Sequence, residues 1–314
     1  MGEQARKIGE KLEGFGEKLF RGFGWNELGR DIEIKCERKS SHDKKTHGLD
    51  LLMNFDNPYL GRKQGIIIEC KNRKMQSITL SEINHWVSEL INSIECASSA
   101  IELDKIELGD CNLCTGLLLI HANDQFDKKK FYGYLKSINI KSRRSAINIF
   151  IAGNDMIDKW NSLLNKLQND YNDGFKFIYP SIEGSNMKEG NFITINQLYS
   201  KYIFAQDYVQ VDCTNDGKLY KMPKKRKILI SFDEISINSF KYIWSMFKYY
   251  QLQDAAELVF IFYPQRKDDG SFIKNNFIST LSNIQHPIDE DIRQKIKIDY
   301  IDNRNLSPVD IGRI

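Results

Sequence analysis

The sequence predicts an α/β fold: a mixed β-sheet flanked by helices, followed by a second and smaller α/β unit. Three observations carry this. Amphipathic helical stretches alternate with short apolar runs instead of being segregated from them. The runs at 65–68 and 117–120 are continuously apolar, as in strands buried on both faces, and 147–151 is apolar except for Asn148 and reads as another buried strand. A polar, glycine-containing stretch at 181–192 breaks the pattern before strand and helix signals resume near 225.

Taken in order, residues 6–23 form a helix, because Ile8, Leu12, Phe15, Leu19 and Phe23 recur at spacings of three and four, and it stops at Gly24-Trp25. Residues 31–37 alternate, with Ile32, Ile34 and Cys36 on one side and Asp31, Glu33, Lys35 and Glu37 on the other, which is a half-buried strand. A basic loop leads to a strand opening at Gly48-Leu49-Asp50 and running to Phe55. The turn residues Asp56-Asn57-Pro58 through Gly61 follow, then the buried run at 65–68, which exits into Glu69-Cys70-Lys71-Asn72-Arg73-Lys74. Residues 80–102 are helical, with Ile83, Trp86, Val87, Leu90 and Ile94 on one side; further helices fall at about 126–138 and 155–170, and a last strand at 175–179. The expected organisation is a first domain over 1–180, a connecting segment over 181–224, and a C-terminal α/β unit over 225–314 with strands at 228–232, 258–262 and 296–301 and an aromatic-rich helix at 236–251.

Composition narrows the class. The chain has 314 residues, 41% hydrophobic and 28% charged, the balance of a folded globular protein with a sizeable core. No run approaches a membrane span, and the N-terminal stretch has no apolar segment of the secretory kind. The six scattered cysteines then read as reduced thiols in a cytoplasm. The net charge of +3 selects no partner. Local basic clusters at 62–63, 71–74, 128–130, 143–144 and 224–227 suit a polyanion, although any one alone reads as solvated surface.

The hairpin holding Asp50 and Glu69-Cys70-Lys71 carries the chemistry. Glu69 and Lys71, two apart on a strand, share a face, and Cys70 is expected on the other. Antiparallel pairing sets the start of the Asp50 strand beside the end of the next one. Two carboxylates and an amine thus converge on one rim of the sheet. Hard oxygen ligands of this kind suit Mg²⁺ or Mn²⁺, and a nearby amine suits the charge that develops on a phosphodiester under attack. Arg73 and Lys74 could hold the neighbouring backbone, and His47, beside the Asp50 strand, could contact a phosphate.

These residues resemble the PD-(D/E)xK, or restriction-endonuclease-like, superfamily over about residues 6–155. The matched segments are His47-Gly48-Leu49-Asp50 for the aspartate motif and Ile66-Ile67-Ile68-Glu69-Cys70-Lys71 for the ExK motif. Leu49 stands where many members carry proline. The resemblance implies a further glutamate from the first helix. Leu12-Glu13, followed by Leu19-Phe20 and Gly24-Trp25, is similar to the Mrr-like and resolvase-like branches, which favours Glu13, with Glu17 and Glu10 as alternatives one turn away. It implies a metal site of Asp50, Glu69 and Glu13, with Lys71 completing the catalytic set. The tripeptide alone is unspecific, since Glu33-Ile34-Lys35 and Glu37-Arg38-Lys39 match it too; the order of elements gives it meaning.

The resulting expectation is a Mg²⁺- or Mn²⁺-dependent nuclease acting on double-stranded DNA in a bacterial restriction or anti-phage defence system. It leaves room for a partner ATPase or sensor protein and for a homo-oligomer. The alternatives are the same fold serving only as a binding module for nucleic acid or a protein, and an unrelated α/β interaction protein. Weaker signals are read blandly. Cys111-Asn112-Leu113-Cys114 lacks a second ligand pair for zinc. Pro223-Lys224-Lys225-Arg226-Lys227 runs into a strand and reads as a basic strand edge or a nucleic-acid contact. The aromatic stretch from Phe240 to Tyr250 reads as core or interface before a base-stacking platform.

Overall fold

The computed structural model describes residues 2–106, 108–140, 146–171, 174–180, 188–215, 218–284, 290–304 and 306. The basic pair Arg143-Arg144, the turn residues Gly184, Ser185 and Asn186, and the Ile8 side chain lie outside the described part. The chain divides into two compact units, Met1–Asn161 with Arg304–Ile314, and Ser162–Asn303. Among the described residues no helix is long and apolar enough to cross a membrane.

The first unit runs α1 (Gly2–Gly22), β1 (Asn26–Lys35), α2 (Lys39–His42), β2 (Thr46–Asn57), β3 (Arg62–Arg73), α3 (Leu80–Ala97), β4 (Asn112–Ala122), α4 (Lys128–Lys136), β5 (Asn148–Ala152) and α5 (Asn154–Asp170), within which the division between the units falls. Its sheet has the order β1-β2-β3-β4-β5. The first two pairings are antiparallel and the last two parallel, so the sheet is mixed. β3 is central, and Ile66, Ile67 and Ile68 are buried, as their unbroken apolar run requires.

Local chemistry fixes the ends of these elements. α1 stops where Gly24 takes φ 84°, with the Gly24 N–H donated to the Arg21 carbonyl and the Trp25 N–H to that of Phe20, a Schellman ending. Leu12, Phe15, Leu19 and Phe20 are its buried stripe. Gly16 lets it lie close to the sheet: a Cβ there would stand 3.3 Å from Leu119 Cδ1 and 3.6 Å from Leu51 Cδ1. The β2–β3 turn is closed by the Asn57 side-chain oxygen, which accepts the N–H groups of Tyr59 and Leu60, and by Gly61 at φ 63°. Thr79 caps α3 by accepting the Glu82 N–H. Against α3 lies one continuous core of Ile34, Cys36, Leu49, Leu52, Ile67, Trp86, Leu90, Leu118 and Ile120.

The second unit runs β6 (Lys176–Tyr179), β7 (Lys188–Gly190), α6 (Ile195–Tyr199), β8 (Tyr202–Asn215), β9 (Lys218–Ser231), α7 (Ile237–Tyr249), β10 (Glu257–Phe262), α8 (Asp269–Ser282), α9 (Glu290–Lys295) and β11 (Ile296–Tyr300), in the sheet order β11-β10-β9-β8-β6-β7. β9, β10 and β11 are parallel. Its core gathers Phe240, Ile243, Trp244, Phe247, Phe260 and Phe277, so the aromatic stretch of α7 is chiefly core, with Tyr242 and Tyr249 exposed.

Two expectations are corrected here. The strand at 175–179 does not belong to the first domain; it pairs with β8 in the second sheet. The segment 181–224 is not a connector, since it holds β7, α6, β8 and the first half of β9. The outer half of β9 is exposed and has no apolar period, which hides it from a hydrophobicity reading; that of β8 does alternate, Val209, Val211 and Cys213 against Gln210, Asp212 and Thr214, a strand signal the sequence reading passed over. The stretch 223–227 lies inside β9. Pro223 is opposite Gln210 of β8, and β10 joins the other side only from Arg226 onward, so the proline sits where that side has no ladder to break. Arg226 forms a two-pronged ion pair with buried Asp207 across the β8–β9 ladder.

Candidate active site

The register of three strands assembles the site. Leu51 pairs with Ile68, which brings the next residue, Asp50, level with Glu69. Arg30 pairs with Leu51 and Ile32 with Leu49, which sets Asp31 opposite Asp50. Asp31, Asp50 and Glu69 therefore stand in one row across β1, β2 and β3. Asp31 has φ 50°, an uncommon conformation for a residue other than glycine, and it interrupts the regular pleat at the row. The Cys70 N–H donates to Asp50 Oδ2 at 2.7 Å, so β3 positions the aspartate directly. The Lys71 amine is ion-paired with Glu69.

Beside this row is a cleft of ≈ 560 Å³. Asp31, Asp50, Cys70, Lys71 and Arg73 line it from the sheet, and Glu10 and Glu13 from α1. Consecutive residues Cys70 and Lys71 both border it, so Cys70 is not confined to the far face as the strand alternation suggested; the cleft lies at the strand's end.

The electrostatics are those of crowded acids. Burial pushes the Asp50 carboxyl up to about 7, Glu69 and Glu13 push the same way, and the Cys70 N–H and Lys71 only partly oppose them. Glu13 is also raised, by burial and by Asp31, against the pull of Arg30, whose Nη2 lies 3.4 Å from Glu13 Oε2. Burial raises the Cys70 thiol well above its ordinary range, with the surrounding carboxylates adding to it, which keeps it protonated and unreactive. Carboxylates are hard donors suited to Mg²⁺ or Mn²⁺, and a divalent cation would remove the repulsion that raises Asp50. Among the described residues no three of these carboxylates offer oxygens within 4.8 Å of one another, so they fit such an ion by donor type and would draw together to hold it.

Of the residues singled out from the sequence, Asp50, Lys71, Glu13, Glu10 and Arg73 line the cleft; Glu69 is outside its lining and joins them through its level with Asp50 and its ion pair with Lys71. Three others stay apart. Glu17 is outside the cleft lining and is ion-paired with Arg21 at 3.1 Å and Arg30 at 3.3 Å. Lys74 is exposed, just ahead of the turn Met75–Ser77, and also stays outside the lining. His47 is 3% exposed, within reach of buried Cys36, His42 and Cys96, so it is closed to a phosphate. Its strand position, opposite Ile34, turns it inward. Asp31 and Cys70 are lining residues that the sequence reading did not place. The polar side of β1 was legible, but the positive φ at Asp31 leaves no trace in a two-residue period.

The family model described as "GAPS4 protein PD-(D/E)XK nuclease domain" matches residues 1–156. No curated protein and no solved structure matches the chain.

Proposed function

We propose, from the premise that residues 1–156 belong to the PD-(D/E)xK nuclease family, that the chain is a Mg²⁺- or Mn²⁺-dependent endonuclease cleaving double-stranded DNA in a bacterial restriction or anti-phage defence system. The observation that carries this reading is that Asp50, Lys71 and Glu13 line one cleft, with Glu69 level with Asp50 and ion-paired with Lys71. Asp50, Glu69 and Glu13 would hold the cation. A bound divalent ion supplies Lewis-acid polarisation of the phosphate and an activated water. Lys71, next to Glu69, offers a positive charge where the phosphate oxygens gain negative charge. Arg73, two residues on and in the cleft lining, holds the adjacent backbone phosphate. Cys70 positions Asp50 through its N–H and takes no part through sulfur.

In this reading the second unit senses a signal, binds a partner ATPase or sets substrate choice, and the protein works in the cytoplasm. A homo-oligomer is compatible with it. The test is a panel of supercoiled plasmid, linear duplex, single-stranded DNA and RNA, each incubated with the chain and Mg²⁺ or Mn²⁺. Duplex DNA is expected to be cut only with the cation present. Cleavage of RNA alone would overturn the substrate. No cleavage of any of them, with duplex still retained in a gel shift, would replace the nuclease with a binding module.

A further inference from the structure

A second group of donor atoms lies in the first unit, away from the cleft lining. Cys36 directly follows β1, His42 ends α2, His47 is the second residue of β2, and Cys96 is near the end of α3. All four are buried, and one donor atom from each lies within 4.8 Å of every other. Cys36 Sγ and Cys96 Sγ each stand 3.5 Å from His42 Nδ1, and 3.9 Å from one another. A tetrahedral zinc ion with its usual bonds to sulfur and nitrogen would place two sulfurs about 3.8 Å apart and a sulfur and a nitrogen about 3.5 Å apart. The observed edges are those of that tetrahedron.

The surroundings agree. Glu95 Oε2 lies 3.0 Å from His42 Nε2 and is also held by Arg38 at 3.1 Å. A carboxylate there makes Nε2 the protonated nitrogen and turns the Nδ1 lone pair toward the two sulfurs, the arrangement of a metal-bound histidine. His47 Nε2 is buried with no hydrogen-bond partner among the described residues. Such an atom is costly unless something accepts its lone pair. Without a cation, two thiols compete for one nitrogen and the fourth donor has nothing. With Zn²⁺ and two thiolates the cluster is neutral, so no net charge is buried.

We propose that the first unit holds a structural zinc ion on Cys36, His42, His47 and Cys96. Two sulfurs and two imidazoles select zinc over the hard cations that suit the cleft. The ion ties the β1–β2 connection to α3, and its ligand His47 is three residues before Asp50, so it sets the base of the strand that carries the aspartate. This is a site separate from the nuclease centre and does not depend on the activity proposed for it.

The test is metal analysis by mass spectrometry of the full chain, purified without a histidine tag. About one zinc per chain is expected, falling below about a tenth in Cys96→Ser and His47→Ala. Glu69→Ala, in the other site, should keep its zinc. Cys36→His preserves four donors and should retain zinc, which separates loss of a ligand from loss of the fold. Replacing zinc by Co²⁺ in the wild-type chain should give the visible bands and sulfur charge-transfer of tetrahedral cobalt thiolate. A wild-type chain that carries no zinc and gives no such cobalt spectrum overturns the site, as does full zinc retention in Cys96→Ser.

Discussion

At the scale of single residues, Asp50 states the logic of the site most clearly. Its carboxyl, ordinarily near 3.8, is pushed up to about 7, first by burial and then by Glu69. An acid raised in this way holds its proton more tightly in the folded chain than in the unfolded one. Below the ordinary value both states are protonated and nothing is lost; between there and about 7 stability falls as pH rises, and above it the full cost stays. Without added divalent cations, Asp50→Asn should therefore melt roughly 3–6 °C above the wild type at pH 8 and level with it near pH 4. Added Mg²⁺ or Mn²⁺ should narrow the gap. Thermal melts at the two pH values check this, and an equal difference at both would show that ionisation of Asp50 is not what costs stability. The sequence made Asp50, Glu69 and Lys71 legible because residue type and spacing are local facts. It did not make the buried Cys36, His42, His47 and Cys96 cluster legible: its members are spread over 36–96, and the compact Cys111–Cys114 pair drew attention instead. Cys111 and Cys114 are only partly buried, and they join no metal-type cluster among the described residues.

At the scale of elements, the question is which turn of α1 serves the cleft. Glu10 and Glu13 line it, whereas Glu17 spends its carboxylate on Arg21 and Arg30. Glu13→Gln is expected to slow metal-dependent cleavage by about a hundredfold, the usual scale for losing a group that organises charge at the reaction centre. Glu17→Gln should stay within about threefold, since partly exposed ion pairs of this kind contribute little. Initial rates on one duplex substrate distinguish them, and a larger loss in Glu17→Gln would move the assignment one turn along the helix. The helices and central strands were readable because their apolar periods are long and regular. β1 reaches back to Asn26, further than its alternation indicated, because a bulge between Glu27 and Gly29 breaks the two-residue period. The outer half of β9 was not readable, since it pairs with β8 and buries little, whereas the alternation of Val209, Val211 and Cys213 in β8 was there to be read and was missed.

At the scale of the whole chain, two units each close their own core, and the first carries both the acidic cleft and the buried Cys/His cluster. Reading along the chain assigned β6 by adjacency, yet it pairs with β8, more than twenty residues later; pairing of that range is set by the completed sheet and not by local composition. The central claim concerns the first unit alone: Asp50, Glu69 and Lys71 act as one hydrolytic centre. It is tested most directly by the initial rate of plasmid cleavage with Mg²⁺ or Mn²⁺ for the wild type, Glu69→Ala and Lys71→Ala, with exposed Lys74→Ala as the control. The account predicts losses of at least about a hundredfold in the first two variants and a change of no more than a few-fold in the third, all four chains keeping the same circular dichroism spectrum. Cleavage by Glu69→Ala at the wild-type rate would contradict it.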